Sequence, residues 1–168
     1  WHEAGSQWVH EFEYELVLTN TWNEKEGTVY WIGIQAEHLG EPVHGWGWAT
    51  TPLEYHWNDD AVREMDLPDY AGVWVEELIY EDLWPGHPYG RASVDLAFTL
   101  FSDVLGRRAK KWRQPPDMEM GNNMSAFAPL GQAGSFPWPV RADDFVSDGR
   151  RITDIHWWGS YLEWLPDW

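Results

Sequence analysis

Near its start the chain reads Trp8-Val9-His10-Glu11-Phe12-Glu13-Tyr14-Glu15-Leu16-Val17-Leu18. Its even positions hold Trp8, His10, Phe12, Tyr14, Leu16 and Leu18, and Glu11, Glu13 and Glu15 fall between them. Side chains alternate across an extended backbone, so this period of two predicts a strand with one dry face and one wet face. The pattern returns at 92–100, with Val94, Leu96, Phe98 and Leu100 inward and Ser93, Asp95 and Thr99 outward. Residues 28–36 (TVYWIGIQA) are apolar on both faces and predict a central strand. Residues 73–80 and 152–162 are further strand candidates. A helix start is found only at 58–64, where Asn58 can cap and acids fill the first turn; one or two turns are expected. Short strands joined by Gly- and Pro-rich turns predict an all-β chain, a jelly-roll-like β-sandwich.

The 168 residues suffice for one domain with a real core, and 15 Trp and 7 Tyr supply much of the surface to fill it. The formal net charge is −17. A surface this negative repels phosphate backbones and anionic lipid, which argues against nucleic acid and polybasic membrane anchoring. No apolar run approaches the roughly 20 residues of a spanning helix. Without cysteine there is no disulfide, thiolate catalysis or Cys-ligated metal. No signal peptide is visible and the chain opens on Trp1, which reads as a processed chain or part of a longer one.

Charge divides the chain in two. Residues 1–105 hold 20 acids against Lys25, Arg63 and Arg91, whereas 106–168 hold 8 of each sign. Arg107, Arg108, Lys110, Lys111 and Arg113 surround Trp112 at the seam. Such a run is either a solvated linker or a surface that docks on an acidic partner. The irregular stretch 114–140 reads as an arm, binding loop or linker, and it carries the glycosylation sequon Asn123-Met124-Ser125.

Trp46-Gly47-Trp48 and Trp157-Trp158 are the most conspicuous clusters. Trp46 and Trp48 are candidate sugar-binding platforms, with core packing and a protein interface as the competing readings. Trp157 and Trp158 are adjacent on a strand and so face opposite ways; at least one is expected to meet a second layer or subunit. Asp59-Asp60 and Asp143-Asp144 are candidate Ca2+ ligands, although EF-hand spacing is missing. The seven histidines are scattered, and no HExxH pattern, phosphate loop or nucleophile elbow is present. The chain is therefore expected not to be an enzyme.

Several stretches resemble an uncharacterised β-rich module of large secreted proteins from environmental bacteria. Its opening motifs are similar to Lys111-Trp112-Arg113-Gln114-Pro115-Pro116-Asp117, Ala142-Asp143-Asp144-Phe145 and residues 152–160. Its later motifs are similar to 29–36, 46–50, 57–62 and 95–98. The resemblance implies a β fold and secretion but no activity. The order is swapped: 1–105 matches the closing half of the module and 106–168 the opening half. A repeat array cut in an arbitrary frame, an incomplete sequence, or a sandwich completed by a neighbouring subunit would each give that order. The expected function is a non-enzymatic extracellular or cell-surface structural protein, a subunit of a head-to-tail fibre. Its self-contacts would run through Arg107, Arg108, Lys110, Lys111, Trp112, Arg113, Trp157 and Trp158. No cofactor is expected beyond the Ca2+ that the acidic pairs leave open. The alternative is a secreted carbohydrate-binding module.

Overall fold

A computed structural model of the chain describes residues 11–38, 45–65, 73–76, 94–118, 123–125, 127–129 and 140–161. These form the strands β1 (Glu11–Trp22), β2 (Val29–Ile34), β3 (Ala36–His38), β4 (Trp46–Ala49), β5 (Val62–Met65) and β6 (Val73–Glu76). They continue with β7 (Phe98–Val104), β8 (Arg107–Gln114), β9 (Asn123–Ser125), β10 (Phe127–Pro129), β11 (Arg141–Val146) and β12 (Ile152–Tyr161). A 3-10 turn at Leu53–Tyr55 is the only helical element among the described residues. The chain is all-β.

The long strand β12 organises the larger sheet. Tyr14 of β1 lies opposite Trp157 on one of its edges, and Phe98 of β7 lies opposite Trp157 on the other. Further along that second edge β12 pairs with β4, while β8 extends the sheet beyond β7 and β9 beyond β4. A second sheet has the order β2-β11-β5-β6, and β3 and β10 form a short parallel pair. The two large sheets meet through aromatic rings. Phe145 of β11 packs edge-on to Phe98 at 6.2 Å and lies 6.3 Å from Trp112 and 6.1 Å from Tyr30. Trp48, Leu96, Leu100 and Ile152 complete this sandwich core.

The inward alternation of β1 holds for Phe12, Tyr14 and Leu18, which are partly buried, while Leu16 stays exposed at the sheet edge. Trp46 and Trp48, two residues apart, share the core face of β4, and the Trp46 ring lies over Gly159 of β12.

Four expectations change. Residues 28–36 yield β2, an edge strand with Val29 and Trp31 exposed; its second apolar face is open rather than covered. Asp95 and Thr99 are buried along with their apolar neighbours, because 94–100 is covered on both faces. No helix starts at Asn58, whose φ of 59° is left-handed; four residues on, Val62 begins β5 opposite Ala142. Strands β9 and β10 fall within the stretch read as irregular. The completion of the sandwich also takes place within one chain: β8, β11 and β12, all from 106–168, pair with β7, β2, β5, β1 and β4.

The β7–β8 hairpin turns on Leu105 (φ 55°) and Gly106 (φ 73°), the two left-handed residues of a tight two-residue turn. Leu105 is 98% exposed, so it bears the left-handed cost without burying its side chain. Leu105→Asn is expected to raise stability by about 0.5–1 kcal/mol, because Asn tolerates this backbone region. Gly159→Ala should do the opposite, since its Cβ would stand 2.5 Å from the Trp46 ring and against the Gly47 carbonyl. A loss of about 1–3 kcal/mol is expected for such overpacking. Denaturant titration measures both.

Candidate functional site: a buried carboxyl cluster and a basic edge

The register of β11 carries an acid into the core. Arg141, Asp143 and Phe145 lie opposite Ile34, Ile32 and Tyr30 of β2, while Ala142 and Asp144 take the other face beside Gly33 and Trp31. Gln114 arrives from the other sheet, opposite Phe98 and two residues beyond Trp112 on the same strand face. The Trp112 indole N–H donates to Gln114 Oε1 at 2.8 Å, which aims the amide NH2 at two acids. Gln114 Nε2 donates to Asp95 Oδ2 at 3.0 Å and to Asp143 Oδ2 at 3.2 Å. Asp95 Oδ2 also accepts the Trp57 N–H at 2.7 Å. Asp143 accepts the Leu96 N–H at Oδ2 (2.6 Å) and the Asp144 N–H at Oδ1 (2.8 Å).

Asp95 is 1% exposed, and Gln114 and Asp143 are 0% exposed. Burial pushes the Asp95 carboxyl up to about 7 against the lowering effect of the Trp57 N–H. Burial, with the Asp95 charge second, lifts Asp143 well above the carboxylate range. On the other face of β11 Asp144 is buried as well, and Asn58 Nδ2 donates to Asp144 Oδ2 at 2.6 Å and to Asp59 Oδ2 at 3.0 Å. Asp144 is also raised, by burial first. With Asp95 and Asp143 closed to solvent, this cluster joins the sheets.

The same geometry bears on calcium. Asp143 is occupied by three N–H donors, and Asp59 and Asp144 are bridged by the Asn58 amide. Asp60 acts on Asp95 through its charge rather than as a shared ligand. Among the described residues no three His, Asp or Glu side chains converge as a metal-holding set. Asp143 and Asp144 are buried where the sheets join, and Asp59 is tied to Asp144 through the Asn58 amide. Trp46 and Trp48 need a larger correction: both are core residues and present no face to a sugar. Their indole N–H groups are bound inside, to Tyr14 Oη at 3.1 Å and to the Ala97 carbonyl at 2.8 Å. Asn123 is exposed on β9, a strand and not a loop.

The basic run becomes β8, and much of it is engaged within the chain. Arg108 pairs with Glu15 at 2.9 Å and Asp154 at 3.5 Å, contacts His156 Nε2, and lies over the Phe101 ring. His156 Nδ1 meets Glu13 at 2.7 Å. The Lys111 side chain is buried between Glu24 (2.9 Å) and Asp148 (2.5 Å). Arg113 sits over the Tyr55 ring. Trp112 packs edge-on to Trp57 at 5.2 Å, and Trp157 stacks on Tyr14 at 5.5 Å. Trp158, opposite Glu13, takes the other face of β12 from Trp157. Arg107 and Lys110 are left exposed at the sheet edge.

The residues missed from sequence are Asp95, Gln114 and His56. Gln114 carried a readable signal, since it shares parity with Trp112, whose indole needs a buried acceptor. Asp95 was masked by its own charge, which normally marks the wet face of a strand. The stretches 95–98, 111–117, 142–145 and 57–62 all supply this cluster, although they are scattered in sequence.

A family model described as Domain of unknown function (DUF7901) matches residues 2–101 and 110–167. No curated protein and no solved structure matches the chain. No helix among the described residues is long and apolar enough to cross a membrane.

The Lys111 triad generates a prediction with a definite sign. Lys111→Met leaves the buried Glu24 uncompensated and should cost about 3–5 kcal/mol by denaturant titration. Asp148 is held down at about 2 by its bonds to Arg150 and Lys111, against an ordinary value of 3.8. Its contribution is therefore present above that ordinary value and lost as pH falls towards 2. Asp148→Asn should flatten the acid limb of the stability profile over that window.

Proposed function

We propose that this chain, which belongs to the family described as Domain of unknown function (DUF7901), is a non-enzymatic structural module that joins head to tail with copies of itself in an extracellular or cell-surface assembly. The supporting observation is the pair of edges on one sheet. Among the described residues β1 pairs with β12 alone and β8 with β7 alone, and the local order is β8-β7-β12-β1. Every neighbouring pair is antiparallel, so β1 and β8 run in opposite directions. A second copy that sets its β8 beside β1 continues the alternation without a break.

The chemistry of the two edges differs in the sense such a joint requires. β1 carries Glu11, Glu13 and Glu15, with Leu16 and Val17 exposed. β8 exposes Arg107 and Lys110 beside the apolar hairpin tip of Val104 and Leu105. An unpaired strand edge is a ready template for another chain, and opposite charges favour the unlike edges over like ones. Because the two surfaces differ, the contact is heterologous and propagates unless a ring closes. The sealed state of Asp95 and Asp143, the acids with the most perturbed protonation, supports the non-enzymatic part. Secretion is supported by the resemblance to modules of large secreted proteins.

A carbohydrate-binding role is the second reading. It draws on Trp22 and Trp31, which are exposed among the described residues where Trp46 and Trp48 are buried. Glycan-array binding lost in Trp31→Ala would favour it.

The assembly reading has a two-sided test. Arg107→Glu with Lys110→Glu should slow particle growth by about tenfold or more at low ionic strength, and by less at about 0.1 M, where screening acts over about 10 Å. Leu16→Lys with Val17→Lys should block the other edge. Sedimentation of the two variants mixed should then show dimers that grow no further. A parent chain that stays monomeric at high concentration, with each variant indistinguishable from it, would sink the reading.

A further inference from the structure

We propose that Asp95 and Asp143 form a proton-operated clasp, which fastens the two sheets while the pair holds one proton and loosens when that proton leaves. The inference stands apart from any assembly. Both carboxyl groups accept from the same Gln114 nitrogen, so they lie within the reach of one amide, and both are closed to solvent. Two carboxylates that close in a dry site cannot both ionise without a cation between them.

Among the described residues, the charges that act on the pair include no cation. From the connection between β4 and β5 come His56 and Asp60, and from β11 comes Asp144. Arg141 lies two residues from Asp143 along the same face of β11, yet it is not among the charges that move either carboxyl group. Gln114, from β8, is neutral. Glu54 and Asp60 act on His56 from its own segment, and burial outweighs them and lowers the imidazole from its ordinary value. At neutral pH His56 is therefore uncharged.

The tautomer of His56 locates the proton. Its Nε2 stands 3.2 Å from the Thr51 carbonyl, which can only accept, so Nε2 carries the hydrogen and Nδ1 a lone pair. That lone pair faces Asp95 Oδ1 at 3.9 Å. Of the four carboxyl oxygens, the two of Asp143 and Asp95 Oδ2 receive N–H donors. Asp95 Oδ1 is the remaining oxygen and is turned towards an acceptor, so the proton rests there. The single negative charge then falls to Asp143, where the Leu96 and Asp144 N–H groups work against the burial that raises it, and the charge strengthens its bonds to Leu96, Asp144 and Gln114. When the proton leaves, a second negative charge appears beside the first. The Leu96 and Trp57 N–H bonds then hold two mutually repelling groups.

The sign follows from linkage. A carboxyl whose folded value is raised gives its full stabilisation below the unfolded value of 3.8 and loses it as pH rises through about 7. The folding equilibrium constant should therefore fall by up to about tenfold per pH unit across that window, as one proton is released on unfolding. The full chain would be followed by infrared spectroscopy and by amide exchange corrected for its intrinsic pH dependence. A protonated-carboxyl band is expected at pH 6 and should vanish by pH 9, as protection of the Leu96 and Trp57 amides drops. Asp95→Asn, which keeps the shape and removes the proton, should abolish the band and flatten the slope. Absence of that band in the parent chain overturns the proposal, and this readout holds even where Asp95→Asn fails to fold. A folded Asp95→Asn chain with the parental slope overturns it as well.

Discussion

The amide of Gln114 is the point on which the two sheets depend. It arrives on the last residue of β8, is oriented by the Trp112 indole, and reaches Asp95 in its own layer and Asp143 in the other. The consequences spread along the segment 94–97. With Leu96 N–H bound to Asp143, the carbonyls on either side are set to receive other strands. Asp95 O accepts from Thr51, Val94 O from Ala61 and Ala97 O from the Trp48 indole. A slip of one residue here would turn Leu96 out and leave several buried polar groups without partners. Fully satisfied networks of this kind fix one register where apolar packing alone would tolerate several.

The tryptophans answer to the same constraint. An indole buries a large apolar area but carries a donor that must be met. Trp46, Trp48 and Trp112 find Tyr14 Oη, a backbone carbonyl and a side-chain amide, each on a different strand or segment. Each ring therefore acts twice, as filling and as a polar tie. Burial raises the Tyr14 phenol to about 12, which keeps it a neutral partner between Trp46 and Trp157. A chain without cysteine obtains its cross-ties in this way.

Strand periodicity was readable wherever one face was dry and the other wet, as in β1 and in 94–100. It misled where an edge strand showed apolar residues to solvent: Val29 and Trp31 look the same in sequence whether a layer covers them or not. The basic run was legible as unusual, and two of its cations meet acidic groups of their own chain. Glu15, Asp154, Glu24 and Asp148 already receive Arg108 and Lys111 inside the chain. Arg107 and Lys110 stay exposed on β8. The carboxyl cluster was hidden because charge is ordinarily the best sign of a wet position, and only the register of β11 shows that Asp143 is carried inward. Nothing in local spacing joins residues 95, 114 and 143.

The placement of β12 sets the order in which the molecule can be made. β1 is the first described strand and β12 the last, yet β1 pairs with nothing else among the described residues. During synthesis the glutamate-studded N-terminal strand emerges long before its partner exists. The β7–β8 hairpin can close early because its contacts are local, but the larger sheet must wait until Ile152–Tyr161 has left the ribosome. Only then can β1, β4 and β7 gather on one strand, and the pairing of Tyr14 with Trp157 closes the longest of these loops. A chain built this way is slow to commit its larger sheet.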